Sequence, residues 1–451
     1  MEMIMLHRQR TYEECQTEQI LGYTAIELLV LTWLDGGDSM LLAFAMLALD
    51  QREEIKLGEL SWIYQGGPEG ARGLLSAVAS SMVTVAATAF SITIVALQLA
   101  ASNFGPRLLR NFMQDKGNQI VLGTFIATFL YCLLVLRTIH GEDYNLFVPQ
   151  LSVTMGIVLA IASIGVLIYF IHHASTIIQA SHVIAGVAHE LDDALDRLFP
   201  EEIGQTALEN HPEIKAIPKD FDEQACSIRS THTGYLQALD DQLLLKLACK
   251  HNLLLRLMVK PGEFIAKGNR LMLAYPGERI SQKLTHEINQ AFLTGKERTE
   301  QQDIEFPINQ LVEIALRALS PGINDPFTAM RCIDRLSAGL SRLSERQFPS
   351  AYRYDNNHQL RIIAEPVAFE QLVNTAFNQI CHYGKSDVAV TLRLLNAIAQ
   401  IASCTHCPHD RFALEQQAEM ILQGSREGSF QQQDQQRVED LYRQVIETWK
   451  T

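Results

Sequence analysis

From Ala77 to Ala101 the chain runs for twenty-five residues without a charge. As a helix this run rises about 37 Å, enough to cross a hydrocarbon core of about 30 Å. A chain that contains it is constrained to place it in a bilayer. Among the polar residues that interrupt the run or follow it directly are Ser81, Thr84, Thr88, Ser91, Gln98 and Ser102. They recur at three- and four-residue steps, with one step of seven, so a helix gathers them on one face. A polar seam on a spanning helix faces protein or water in preference to lipid. Directly after it, Gly105-Pro106 breaks the helix, and Arg107 and Arg110 follow where the chain leaves the membrane.

Three further apolar stretches extend the membrane part. Residues 119–139 and 151–172 each read as a span, with Gly123/Ala127 and Gly156/Ala160 at the four-residue spacing of close helix packing. The stretch 27–49 is interrupted by Asp35-Gly36-Gly37-Asp38. Each aspartate near a bilayer centre costs about 2.5–3.5 kcal/mol on the insertion scale. It reads as a kinked span or as two short pieces around an interfacial turn, and the kinked span keeps the charge topology coherent. The loop containing Arg107, Arg110 and Lys116 is basic, whereas those around Glu59 and around Glu142 and Asp143 are acidic. The positive-inside rule places the basic loop and, with four spans, both termini in the cytoplasm.

Mean hydropathy near zero fits a membrane part joined to a water-soluble part. Residues 1–172 carry 9 Lys/Arg against 15 Asp/Glu, and residues 173–451 carry 28 against 36, so neither half is basic and nucleic acid is not expected as a partner. The eight cysteines are scattered apart from one Cys-x-x-Cys, which reads as reduced thiols. No cleavable signal peptide is evident at the N-terminus.

The expected fold is mainly α. A four-span transmembrane domain (1–172) leads through a helical extension (173–200) to a cytoplasmic α+β region. That region divides into a small β-rich, barrel-like module (205–280) and a mainly helical domain (281–451). On the extension, Ile177, Ala180, Ile184, Val187, Leu191, Ala194 and Leu198 form a heptad seam. It serves either self-association or packing on the chain's own domain. In the module, Gly234–Leu239, Leu253–Val259 and Phe264–Tyr275 read as strands with turns at Pro261-Gly262 and Gly268-Asn269, and Asp241–Lys250 as a helical turn. The module faintly resembles lipoyl carriers but lacks their Met-Lys-Met hairpin, so no cofactor is expected. Residues 352–364 read as a lone hairpin.

Two soluble motifs stand out. At Pro321-Gly322-Ile323-Asn324-Asp325-Pro326 one helix is stopped and the next begins, with Asp325 as cap and Pro326 in the first turn. A structural corner is the expected role. Cys404, Cys407 and His409 have ligand chemistry at zinc-like spacing, with Cys381 or His382 as a further ligand. A single such pair is weak, and no metal is expected. Zinc-protease, phosphate-loop and nucleophile-elbow patterns are all broken at a required position, so no catalytic residue is expected.

The stretches Ala77–Met82, Phe90–Thr93, Val95–Ala100, Phe104–Phe112, Tyr169–His173 and Ala318–Ala329 together resemble the bacterial membrane-protein family called domain of unknown function 2254. The resemblance covers residues 73–422, and the first seventy residues depart from it. It implies a bacterial inner-membrane protein and no particular activity. The polar seam itself suggests a homo-oligomeric ion channel or pore lined by Ser81, Thr84, Thr88, Ser91, Gln98 and Ser102, with Arg107 and Arg110 at its inner mouth. A cytoplasmic regulatory domain completes that reading. Packing of one helix on another is the plainer use of the same residues. The alternative function is a membrane-anchored sensor or scaffold, the helices serving only as a tether. The lipid bilayer, other copies of the chain and an unidentified ion or cytoplasmic ligand are the expected partners.

Overall fold

The computed structural model describes residues 39–51, 63–105, 116–140, 147–177, 179–199, 217–428 and 430–450. The described residues up to His182 form one compact unit and those from Val183 on form another.

The first unit is helical: α1 (Ser39–Asp50), α2 (Pro68–Phe104), α3 (Lys116–Leu136) and α4 (Gln150–Ile177). The apolar run lies inside α2, which begins earlier because Pro68 takes the first-turn place where no amide donor is needed. It ends at Gly105, whose φ of 110° is open to glycine and strained for other residues. One set of buried side chains joins Leu75 and Ala79 of α2 to Tyr131 and Val135 of α3 and Val153 of α4. A second joins Met82 and Ala89 to Val121, Phe125 and Phe170. The order of these contacts makes α3 antiparallel to both of its neighbours. Gly156 allows the approach, since a Cβ there would lie 2.9 Å from Leu75 Cδ2.

Three helices, α2, α3 and α4, are long and apolar enough to cross a membrane. The expectation of four spans is therefore not confirmed. Helix α1 has 12 residues and rises about 18 Å, short of a crossing by itself. The rest of the stretch 27–49, including Asp35 and Asp38, lies outside the described residues, as do Arg107, Arg110, Glu142 and Asp143. Asp50 at the end of α1 accepts from the amides of Leu151 and Ser152, both at 2.9 Å, and from Ser152 Oγ at 2.6 Å. It thereby satisfies amides that the first turn of α4 leaves without intrahelical partners.

In the second unit α5 (Ala180–Leu198) begins after a break, because α4 stops at Ile177. The extension is thus not one continuous helix. Its stripe turns onto this chain's own helical domain: Val183, Ile184, Val187, Ala188, Leu191, Ala194, Leu195 and Leu198 are all buried. That stripe is broader than a two-position heptad seam, as expected for a helix on a globular core.

The sheet region follows, with α6 (Phe221–Gln224), β1 (Cys226–Arg229), β2 (Gly234–Leu239), α7 (Asp241–His251), β3 (Leu254–Leu257), β4 (Phe264–Ile265), β5 (Arg270–Tyr275), α8 (Gln282–Asn289) and β6 (Phe292–Gly295). The helical part comprises α9 (Glu305–Ala318), α10 (Pro326–Ser344), the strands β7 (Tyr352–Tyr354) and β8 (Leu360–Ile363), and then α11 (Phe369–Gly384), α12 (Val388–Cys404), α13 (Pro408–Glu427) and α14 (Gln432–Lys450).

Two open sheets form, in the orders β1-β5-β3-β8-β7 and β4-β2-β6, and neither closes into the expected barrel. The hairpin of residues 352–364 is not alone. β8 pairs in parallel with β3, Leu255 opposite Ile362 and Arg256 opposite Ile363. All four β8 residues are buried, Arg361 among them, which is paired with Asp355 and bonded to Asn252 and Gln359. The sheet core is made by Leu236, Leu244, Leu255, Met272 and Ile288 and by their neighbours.

Helix α5 lies against α10, where Arg342 pairs with Asp192 and Asp196, and Arg346 with Asp196. Gly339 of α10 makes room, as a Cβ there would sit 2.7 Å from Leu191 Cδ2. Gly339→Val is expected to overpack this seam and lower stability by about 1–3 kcal/mol. Gly186→Ala, on the open side of α5 where nothing lies within 4 Å, should stabilise by about 0.5–1 kcal/mol. Thermal unfolding of the purified full-length variants in one detergent checks both signs.

Candidate functional site

At about 100° per residue, the buried positions of α2, namely Ala71, Leu75, Ala79, Met82, Ala89, Ala96, Ala100 and Phe104, form one stripe. Ser81, Thr84, Thr88, Ser91, Gln98 and Ser102 lie on the opposite side, and all six are exposed. α2 packs on α3 and α4 through alanine, leucine and methionine, and the seam is left facing outward.

The seam hydroxyls are not bare. Ser81 donates to the Ala77 carbonyl at 2.7 Å, Thr84 to Ser80 at 3.0 Å, Thr88 to Thr84 at 2.9 Å and Ser91 to Ala87 at 2.9 Å. Each therefore closes a bond one turn back on its own helix, and its oxygen lone pairs remain outward. Gln98 has a longer amide head, and it makes no hydrogen bond among the described residues. Around this seam Val83, Phe90, Val95 and Leu99 are also exposed, so the outward face is apolar with a polar line along it. Arg107 and Arg110, the expected inner mouth, lie outside the described residues.

Polar groups that sequence periodicity did not single out tie the spanning helices together. Thr128 and Ser163 share a buried hydrogen bond of 3.1 Å between α3 and α4, and the Tyr131 hydroxyl donates to the Ser152 carbonyl at 2.9 Å. Beside them Ser39, Thr124 and Thr128 border a cleft of about 290 Å³ along α1, α3 and α4. The signal for Thr128 and Ser163 was a hydroxyl within each apolar run, but only the register of the two helices reveals the pair.

In the second unit the Cys404–His409 segment joins α12 to α13. Cys404 is half-buried, while Cys407 and His409 are exposed. Cys381 is buried on α11, its sulfur 4.0 Å from the Met420 carbonyl of α13. Among the described residues no three histidine, cysteine or acidic side chains cluster closely enough to hold a metal ion.

At the corner between α9 and α10, Pro321 and Gly322 are exposed, and Asn324 takes a left-handed φ of 51°. The Asp325 amide donates to the Ala318 carbonyl at 2.8 Å. The Asp325 carboxylate accepts from the Thr328 hydroxyl at 2.6 Å and from the Thr328 amide at 3.1 Å, with Pro326 at the first position of α10. The Thr328 hydroxyl, ahead of the first-turn amides, holds the Asp325 carboxyl below the usual carboxylate range. Asp325→Ala should cost about 1 kcal/mol at neutral pH. Because the folded-state carboxyl is the stronger acid, this contribution is present above the unfolded value of about 4 and fades as pH falls through the lower folded value. Unfolding midpoints of wild type and variant, measured from pH 7 down to pH 3, should converge at the acid end.

The geometry defines a membrane protein with an outward polar seam, and comparison with known proteins places it in a family. Protein Rv1290c of Mycobacterium tuberculosis (strain ATCC 25618 / H37Rv), uncharacterised by its description, is 33% identical over 373 residues, covering 80% of this chain and 70% of its own. The uncharacterised protein Mb1321c of Mycobacterium bovis matches to the same extent, with 33% identity over 373 residues. No solved structure matches. The family profile aligns with residues 36–400, and the chain belongs to the family described as Predicted membrane protein (DUF2254).

Proposed function

We propose that this protein self-associates in a bacterial inner membrane through the outward seam of α2, and that the seam then lines a path for small ions. The observation that carries this reading is the placement of Ser81, Thr84, Thr88, Ser91, Gln98 and Ser102 on the side of α2 opposite its packing stripe. A hydroxyl bonded one turn back tolerates lipid, but a primary amide has no such outlet, and an unpaired amide in hydrocarbon costs several kcal/mol. A second copy offers Gln98 a partner, and small residues on the same line let two helices approach closely. Outward oxygen lone pairs can replace part of an ion's hydration shell. The bacterial sources of the relatives support the choice of membrane, and the second unit takes the regulatory role.

Protein reconstituted in liposomes should pass monovalent ions, and Gln98→Leu combined with Thr88→Val should reduce that flux at least about tenfold. Absence of flux at every pH and potential, or a flux the double variant leaves unchanged, removes the proposed lining. A cysteine placed at Ser91 should cross-link two copies in the membrane. One placed at Leu75, in the buried stripe, should not.

A further inference from the structure

A cleft of about 900 Å³ in the second unit owes its shape to the sheet. β3 and β8 are adjacent and parallel, so both chains leave the sheet at the same end. Beyond it they separate: Met258–Gly262 turns towards β4 in the other sheet, and Ala364–Val367 leads to α11. A crevice outside the carboxyl ends of parallel strands is a common place for ligands, because the departing chains open it and their backbone groups border it.

Leu257, Met258 and Val259, consecutive where the chain leaves β3, give the cleft its apolar floor, and Met258 is 46% exposed. The walls carry charge, and five of the charged groups are engaged with one another. Arg256 lies 4.3 Å above the Phe221 ring and pairs with Asp222 at 2.8 Å. Arg298 donates to Asp303 through Nε at 2.8 Å and Nη2 at 2.6 Å, with Glu305 at 3.9 Å. Burial pushes the Asp303 carboxyl up to about 6 against the pull of Arg298. It remains ionised at neutral pH and keeps Arg298 engaged. Gln371 donates to Glu305 at 2.6 Å.

Lys260 is different. It is half-buried, and its ammonium reaches only the Pro366 carbonyl, at 3.4 Å. Among the described residues no carboxylate stands within ion-pair distance of it. Glu263 and Glu365 also line the cleft and are exposed to water, and Asp241, another lining residue, sits in the first turn of α7. A half-buried ammonium beside an apolar floor is a place where an anion replaces lost hydration. The wall next to it is held in place. Gly262 has a φ of 91°, and a Cβ on it would lie 2.3 Å from Asp303 Oδ2, so the turn is pressed onto the buried pair. A site whose walls are fixed before binding loses less entropy when it is filled.

We infer that this cleft binds a small organic anion, with its apolar body over Met258 and Val259 and its charged head at the Lys260 ammonium. The inference does not rest on the ion path of α2, and its test does not measure flux.

The test titrates 1-naphthyl phosphate into the full-length protein in lipid nanodiscs, with inorganic phosphate as the body-free comparison and empty nanodiscs as background. Saturable binding of 1-naphthyl phosphate is expected, at least tenfold tighter than that of inorganic phosphate. Lys260→Gln should weaken it at least tenfold, and Lys260→Arg should largely keep it. Met258→Glu, which puts a negative charge on the exposed floor without touching the lysine, should weaken it as much. Unchanged affinity in either Lys260→Gln or Met258→Glu overturns the assignment. So does equal affinity for inorganic phosphate, or no binding above that of empty nanodiscs.

Discussion

Hydrocarbon offers no hydrogen bonds, and the first unit is arranged around that fact. An unpartnered polar group in a bilayer costs several kcal/mol, so each one has to be satisfied by the chain itself or kept out of lipid. The seam hydroxyls of Ser81, Thr84, Thr88 and Ser91 bond to their own helix one turn back. Thr128 and Ser163 bond to each other. Arg72 donates to the carbonyl of Ile139, three residues past the end of α3, at 2.8 Å. Asp50 satisfies the amides at the start of α4. Bonds of this kind let helices be long and apolar with few orphaned groups, and most of the remaining contacts between helices are made by apolar side chains.

Most of what could be anticipated from sequence was local in cause. An uncharged run of twenty-five residues specifies a membrane helix whatever surrounds it. Gly105 stops α2, and Asp325 with Pro326 starts α10, because caps and φ restrictions act over a few residues. The strands around Gly234, Leu254 and Arg270 and the helix after Asp240 follow from turn residues and alternation in the same way. Family resemblance added the membrane setting on motifs that stand far apart in the chain.

What escaped was set by pairing at a distance. The stripe on α5 looks like a heptad because three- and four-residue steps are common to coiled coils and to any amphipathic helix. Gly339 and the ion pairs of Arg342 and Arg346, all far along the chain from the stripe, show that it meets α10. The segment 352–364 looks like an isolated hairpin because its strongest local signal is the turn at Asp355. Its parallel pairing with β3 joins residues more than a hundred positions apart. Arg361 misleads in the same sense: a charged residue in a short strand suggests an exposed edge, yet it is buried because Asp355, Asn252 and Gln359 together satisfy it. Asp50 reads as a loop acid until the start of α4 is placed beside it.

The outward face of α2 is where satisfaction within the chain stops. Its hydroxyls are compatible with lipid and with protein, so they do not choose between the two environments. Gln98 differs from them, because no carbonyl of its own helix takes its amide and the described residues offer no other partner. In the proposed assembly a neighbouring copy supplies that partner. The proposed assembly therefore leans on this one amide more than on the five hydroxyls around it.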